Sequence, residues 1–176
     1  MRRAILLLAT TAIALVAASG TAFAFDCGAG SCWGTPGDDL MIGTAADEGR
    51  HGLGGDDLIR GLDGNDFLTG DDADDAVYGG SGKDSVEGNR GDDWVEGGSG
   101  DDKVNGGVGA DIVVGNKGVD RLLGGGGRDH VDGQDLGPAG IGGSDVLDCG
   151  PGFDTFEADF EDTIMPNCEK GVVGGS

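Results

Sequence analysis

A carboxylate returns every nine residues along most of this chain: Asp39, Glu48, Asp57, Asp66, Asp75, Asp84, Asp93, Asp102, Asp111, Asp120 and Asp129. Identical acids at identical spacing do little acid–base chemistry, because nothing distinguishes one from the next. They can do coordination chemistry. In any repeating coil these side chains stack and repel one another. The column then needs counter-charge, and hard oxygen donors select a hard divalent cation. Calcium fits best, taking about 6–8 oxygens at about 2.3–2.6 Å. Magnesium sheds its water reluctantly and wants a small octahedron. Zinc lacks its usual ligands, since His51 and His130 are the only histidines.

The elements that must position these acids share the beat. From Gly34 to Asp132 the chain divides into eleven units: GTPGDDLMI, GTAADEGRH, GLGGDDLIR, GLDGNDFLT, GDDADDAVY, GGSGKDSVE, GNRGDDWVE, GGSGDDKVN, GGVGADIVV, GNKGVDRLL and GGGGRDHVD. Position one is Gly throughout, and position four is Gly except at Ala46 and Ala73. Position six is Asp except at Glu48, and position eight is apolar except at Arg50. A fixed short period signals stacked repeats. Positions seven to nine carry the β-formers and predict one short strand, with position eight inward and its neighbours outward. Gly at one and four marks backbone that turns sharply or takes positive φ. Two units then make one coil, and coils stack at about 4.8 Å.

Composition alone suggests disorder. The chain has 40 glycines and few aromatics, and without Arg2 and Arg3 it sets 9 basic against 33 acidic residues. The period contradicts that unless a cation supplies charge. The metal-free array is therefore expected to be unfolded or nearly so. Nucleic acid is excluded as a partner by the sign of the charge, and anionic membrane is disfavoured.

Residues 1–24 have the form of a Sec-type secretory signal. Arg2 and Arg3 precede the apolar stretch Ile5 to Ala18, and Ala22-Phe23-Ala24 fits a small-x-small cleavage site. The apolar run is short for a membrane span, and no other segment could insert. The mature chain is expected to be secreted. Four cysteines, Cys27, Cys32, Cys149 and Cys168, then favour disulfides. Three pairings are open. Cys27 with Cys32 and Cys149 with Cys168 is preferred, because each pair brackets one end of the array.

No catalytic group emerges. HExxH is missing, Gly80-Ser81-Gly82-Lys83 lacks the rest of a phosphate loop, and no EF-hand loop starts DxDxDG. No enzymatic activity is expected.

The units closely resemble the RTX nonapeptide, GGxGxDxUx with U a large apolar residue, a calcium-binding parallel β-helix repeat. The best match runs Gly97-Gly98-Ser99-Gly100-Asp101-Asp102-Lys103-Val104-Asn105. After an interruption at 133–139, GIGGSDVLD (140–148) and CGPGFDTFE (149–157) restore the frame, with Asp145 and Asp154 at position six. The resemblance implies an all-β fold, a right-handed parallel β-roll with two repeats per coil, capped at its ends. It implies calcium held between turns on the same side. Odd units would stack Asp39, Asp57, Asp75, Asp93, Asp111 and Asp129. Even units would stack Glu48, Asp66, Asp84, Asp102 and Asp120. The gaps between these turns would hold about nine ions. The unit Gly43 to His51 departs most, and a weak site or none is expected there. Ala73 is expected to strain its turn.

The layout read from this frame is a leader (1–24), a Cys-bounded cap (25–33), eleven repeats (34–132), the interruption, two further repeats (140–157), and a terminal cap and tail (158–176). In that cap the Cys149–Cys168 bond would tie Phe153, Phe156, Phe160 and Ile164 over the last coil. Position seven of odd units also forms an outward apolar stripe, Leu40, Leu58, Ala76, Trp94, Ile112. It gives an alternative function: a cell-surface adhesion or interaction module in which calcium only builds the scaffold.

Overall fold

The computed structural model describes residues 23–25, 28, 30–135 and 143–173. They form β1 (Phe23–Phe25), β2 (Ser31–Trp33), β3 (Asp39–Ile42), β4 (Gly49–Gly54), β5 (Leu58–Asp63), β6 (Phe67–Asp72), β7 (Ala76–Ser81), β8 (Ser85–Arg90) and β9 (Trp94–Ser99). There follow β10 (Lys103–Gly109), β11 (Ile112–Lys117), β12 (Arg121–Gly127), β13 (His130–Asp132), β14 (Val146–Asp148), β15 (Thr155–Ala158), β16 (Thr163–Ile164) and β17 (Lys170–Val173). Odd strands make one parallel sheet of nine and even strands a second of eight, each in chain order. The protein is therefore an all-β solenoid, a β-roll, in which the chain alternates between sheets. Among the described residues no helix is long and apolar enough to cross a membrane.

Register is uniform: Ile59 pairs with Val77, Val77 with Val95, and Val86 with Val104, always position eight on position eight. These residues face inward. Met41, Ile59, Val77, Val95, Val113 and Val131 from one sheet meet Leu68, Val86, Val104, Leu122 and Leu147 from the other, all fully buried. β-branched Val suits this narrow core, since it packs well on a pleated surface at little entropic cost.

The middle strands run six or seven residues, longer than the three expected. They continue through positions one to three of the next unit. Position two is where the backbone enters the left-handed region: Leu53 (φ 81°), Leu62 (φ 83°), Asp71 (φ 83°), Asn89 (φ 81°) and Asn116 (φ 71°) all adopt it. Position four does so as well, and Ala73 is held at φ 93°, as its sequence context implied. Position-one glycines are not left-handed. Their reason is space, which the site makes plain.

The interruption falls inside a turn. Asp120 donates its N–H to Asp145 Oδ1, and Asp129 to Asp154 Oδ1, both across 25 residues instead of the usual 18. The seven extra residues, 133–139, thus leave the register intact; residues 136–142 lie outside the described residues.

The C-terminal tail adds strands to both sheets instead of only covering them. Thr163 pairs with Val146 and Ile164 with Leu147, while Lys170 to Val173 pair with Thr155 to Ala158. Cys149 and Cys168 form a disulfide. Phe156, Ile164 and Cys168 pack on the core. Phe153 and Phe160 do not: they are 82% and 76% exposed. Both sit in turns, outside the strands that line the core. Cys32 is also disulfide-bonded. Cys27, its expected partner, lies outside the described residues, as does the leader apart from Phe23 and Ala24 in β1.

Candidate metal centre

Each turn buries its position-six carboxylate and uses the two oxygens differently. Oδ1 accepts the backbone N–H of the equivalent residue one coil earlier: Asp39 N–H to Asp57, Asp57 to Asp75, Asp75 to Asp93, Asp93 to Asp111 and Asp111 to Asp129, at 2.8–3.0 Å. The even side repeats this from Glu48 to Asp66, Asp84, Asp102 and Asp120. The two stacks expected from the sequence are therefore two continuous ladders. Asp145 and Asp154 continue them. So does Asp162, which accepts the Asp145 N–H at 2.9 Å. Asp162 was missed because its turn has no glycine; the apolar Ile164 two residues later was the available signal.

Oδ2 is the other half of the geometry. It is buried without a hydrogen-bond partner in Asp57, Asp66, Asp75, Asp84, Asp93, Asp102, Asp111, Asp120, Asp129, Asp145 and Asp154. Solitary buried carboxylate oxygens are costly. From Asp57 to Asp129 each lies against the glycine that opens its own turn. A Cβ on Gly52 would stand 2.1 Å from Asp57 Oδ2 and 2.5 Å from the Gly70 carbonyl oxygen of the next coil. Gly61, Gly79 and Gly88 repeat this with Asp66 and Gly79, Asp84 and Gly97, Asp93 and Gly106. Glycine is needed at position one because two oxygens converge where a side chain would be.

The electrostatics agree with the burial. Desolvation pushes Asp57 and Asp111 up to about 7 and Asp75 and Asp145 up to about 8, against an ordinary value of 3.8. Asp66, Asp84, Asp93, Asp102 and Asp120 rise to about 6, and Asp129 rises as well. The backbone N–H bond works against each rise, and neighbouring acids reinforce it. Among the described residues the ion pairs are Arg50–Glu48, Arg90–Asp72 and Lys103–Glu87, so no Asp of the ladders has a basic partner.

The second unit is different. Arg50 is wholly buried at the core position, and its Nη2 lies 2.7 Å from Glu48 Oε2. Glu48 also accepts from the Thr44 N–H and hydroxyl. Burial raises the Glu48 pKa, but these bonds and Arg50 outweigh it and the net shift is downward. Asp39 is likewise held by the Thr35 N–H and hydroxyl.

Outside the buried ladders runs an exposed one at position five. Asp38, Asp56, Asp74 and Asp92 each accept the N–H one coil later, the reverse direction. The two histidines stay on outer faces but are partly covered: His51 stacks on Trp33 and bonds Thr69, and His130 bonds Thr155.

Among the described residues no three His, Cys, Asp or Glu side chains gather as a self-sufficient metal site. A cation here must combine carboxylate oxygens with backbone carbonyls from two coils. That all-oxygen set matches calcium and lacks the nitrogen and sulfur donors that zinc usually takes.

A family model for the RTX calcium-binding nonapeptide repeat matches residues 51–86, 78–113 and 105–135. No curated protein matches the chain. The coils over residues 51–135 are RTX calcium-binding nonapeptide repeats.

Proposed function

We propose that this is an exported calcium-binding protein whose coil assembles as calcium enters the gaps between stacked turns. The observation that carries the reading is the buried, unpartnered Oδ2 beside a carbonyl of the next coil, repeated turn after turn. The ligands would be Asp57, Asp66, Asp75, Asp84, Asp93, Asp102, Asp111, Asp120, Asp129, Asp145 and Asp154, with Asp39 at the start of the odd stack. Calcium supplies two positive charges and a flexible oxygen shell. The chain supplies the rest: Oδ1 locks each acid to the preceding coil, and position-one glycine keeps the cradle open. About nine ions would fill the array up to Asp132, and the longer ladders add further gaps.

Coupling to folding follows from charge. Without a cation, forming the coil buries ionised acids beside one another, so the binding energy becomes folding energy. Export is supported by Arg2, Arg3, the apolar stretch and Ala22-Phe23-Ala24. In a compartment of low calcium the chain would stay unfolded; outside, where modules work at about 10⁻⁴–10⁻³ M, it would assemble.

The test is a circular-dichroism titration of the chain with calcium, then chelator, with magnesium as control. Calcium is expected to raise a β spectrum that chelator abolishes and magnesium does not reproduce. A chelated chain with the same spectrum and melting as the loaded one would overturn the reading.

A second reading, an interaction module, has one observation in its favour. Leu40, Leu58, Ala76, Trp94 and Ile112 align in one column on the outer face of the nine-stranded sheet. Trp94 is 40% exposed. Trp94→Thr with Ile112→Thr separates the two readings: unchanged self-association and partner capture in calcium leaves only the calcium-binding role.

A further inference from the structure

The last strand, β17, pairs with β15, and among the described residues no strand takes its outer edge. All four of its residues, Lys170 to Val173, are exposed. Position-one N–H groups donate onward to the next coil, as Gly34 does to His51 and Gly133 to Glu157. Val173 holds the same place, since it aligns with Ala158, which follows Glu157 as Gly133 follows Asp132. Its N–H therefore points out of the end of the coil. Glu169 precedes β17 as Asp154 precedes β15, so it stands at position six, and it too is exposed.

The opposite edge of the same sheet is held by β1. Phe23 pairs with Asp39, Ala24 with Leu40 and Phe25 with Met41. Two of these three residues belong to the cleavage motif Ala22-Phe23-Ala24. Asp39 shows that β1 fits this edge incompletely. Asp39 is only 2% exposed, and its Oδ1 has no hydrogen-bond partner. In later odd turns that oxygen accepts an N–H from the coil before: Asp57 from Asp39, and Asp75 from Asp57. β1 pairs with the edge and brings this buried acceptor no donor.

We infer that β1 is a place-holder, and that once the leader is removed β17 of a second copy takes its edge. Cleavage after Ala24 takes away Phe23 and Ala24 and opens the edge of β3. The chain then begins on an even strand, β2, and ends on an odd one, β17. A second copy stacked on that end sets its β2 on β16 and its β3 on β17, and both parallel sheets continue in order. In that arrangement β1 and the incoming β17 fall on the same place, so each excludes the other. Position on position, Glu169 brings its N–H to Asp39 Oδ1 of the next copy. Met41 of that copy lies over Gly171, the core position of β17, which carries no side chain. Main-chain pairing of this kind is how a strand adds to an open edge. The contact runs head to tail and does not close on itself, so it builds filaments. Bound calcium is required, because acid-rich ends otherwise repel. The inference rests on reading residues 1–24 as a leader and the turns as calcium sites.

The experiment follows assembly of the exported, processed chain in saturating calcium by sedimentation velocity and electron microscopy. Mass spectrometry is expected to find Phe25 as its first residue. Three proteins are compared: the processed chain, the same chain with Val173→Pro, and a chain that begins at Thr21 and so retains β1. Proline at 173 keeps the β15 side of β17, because the N–H it removes faces outward. The processed chain is expected to form filaments with an axial repeat of about 38 Å, one coil of about 4.8 Å for each strand of the eight-stranded sheet. Val173→Pro and the chain with β1 should stay monomeric or need at least about tenfold more protein to assemble. If Val173→Pro loosens β17, the chain with β1 decides, because its β17 is unaltered. The inference fails if the processed chain folds and remains monomeric, if the chain with β1 assembles as readily, if an intact Val173→Pro chain does so, or if export leaves Phe23 and Ala24 in place. A processed chain that stays unfolded in calcium sinks the proposed function itself, and circular dichroism of the same samples separates that result from a folded monomer.

Discussion

Arg50 Nη2 donates to Glu48 Oε2 at 2.7 Å, with both side chains at zero exposure. The oxygen bonded by Arg50 corresponds to the one left unpartnered in every regular turn. The guanidinium occupies a core position, so this unit carries its own cation and trades a methyl-lined layer for it. Arg50 keeps Nε and Nη1 unpartnered, which is the cost of the arrangement.

Arg50→Met should convert this turn to the ordinary kind. Breaking a buried pair by removing one member costs about 3–5 kcal/mol, and the freed Glu48 then depends on added cation. Hydrogen exchange of β4 and β6 amides is expected to become calcium-dependent in the variant and to be less so in the natural chain. Equal calcium dependence in both would show that Arg50 does not replace a metal.

Acidity should favour the metal-free coil. A carboxyl whose folded pKa lies above its ordinary value binds its proton more tightly in the coil than in the unfolded chain. Stabilisation from that proton is complete below the ordinary value of 3.8 and is lost as pH rises through about 6 for Asp102 and about 8 for Asp75. Chelated protein taken from pH 8 to pH 5 is expected to gain β signal. Calcium affinity should fall over the same interval, because proton and cation compete for the same oxygens. A metal-free chain whose β signal falls on acidification contradicts the burial of these acids.

Filling one cradle should cost binding without removing a ligand. Gly52→Ala places a methyl between Asp57 Oδ2 and the Gly70 carbonyl, and overpacking of this kind costs about 1–3 kcal/mol. Gly126→Ala is the control, since a Cβ there meets nothing within 4 Å. The calcium midpoint of folding should rise for Gly52→Ala and stay put for Gly126→Ala. Identical midpoints for the two would refute the cradle.

Ala73 is held at φ 93°, where an L side chain is strained. Ala73→Gly should therefore stabilise the loaded coil by about 1 kcal/mol. Thermal melting in saturating calcium measures it, and a lower melting temperature would mean that Ala73 makes contacts worth more than its strain.

Much of this was legible in the chain. A nine-residue period with one apolar and one acidic position sets the strand, the inward face and the alternation of sheets, because each depends only on local spacing. Asp57 over Asp75 and Val77 over Val95 follow from periodicity alone. Tertiary structure decided the rest, because it depends on what lies one coil away. Position-one glycine looked like a conformational requirement and is a spatial one, set by a carboxylate in its own turn and a carbonyl eighteen residues on. Left-handed residues such as Leu62 and Asn89 fall at position two, where the need for positive φ comes from the coil's corner and not from residue type. Arg50 read as a defect until its partner was visible. Asp162 sat outside any recognisable unit, and only the stacking of one turn on another brought it to Asp145.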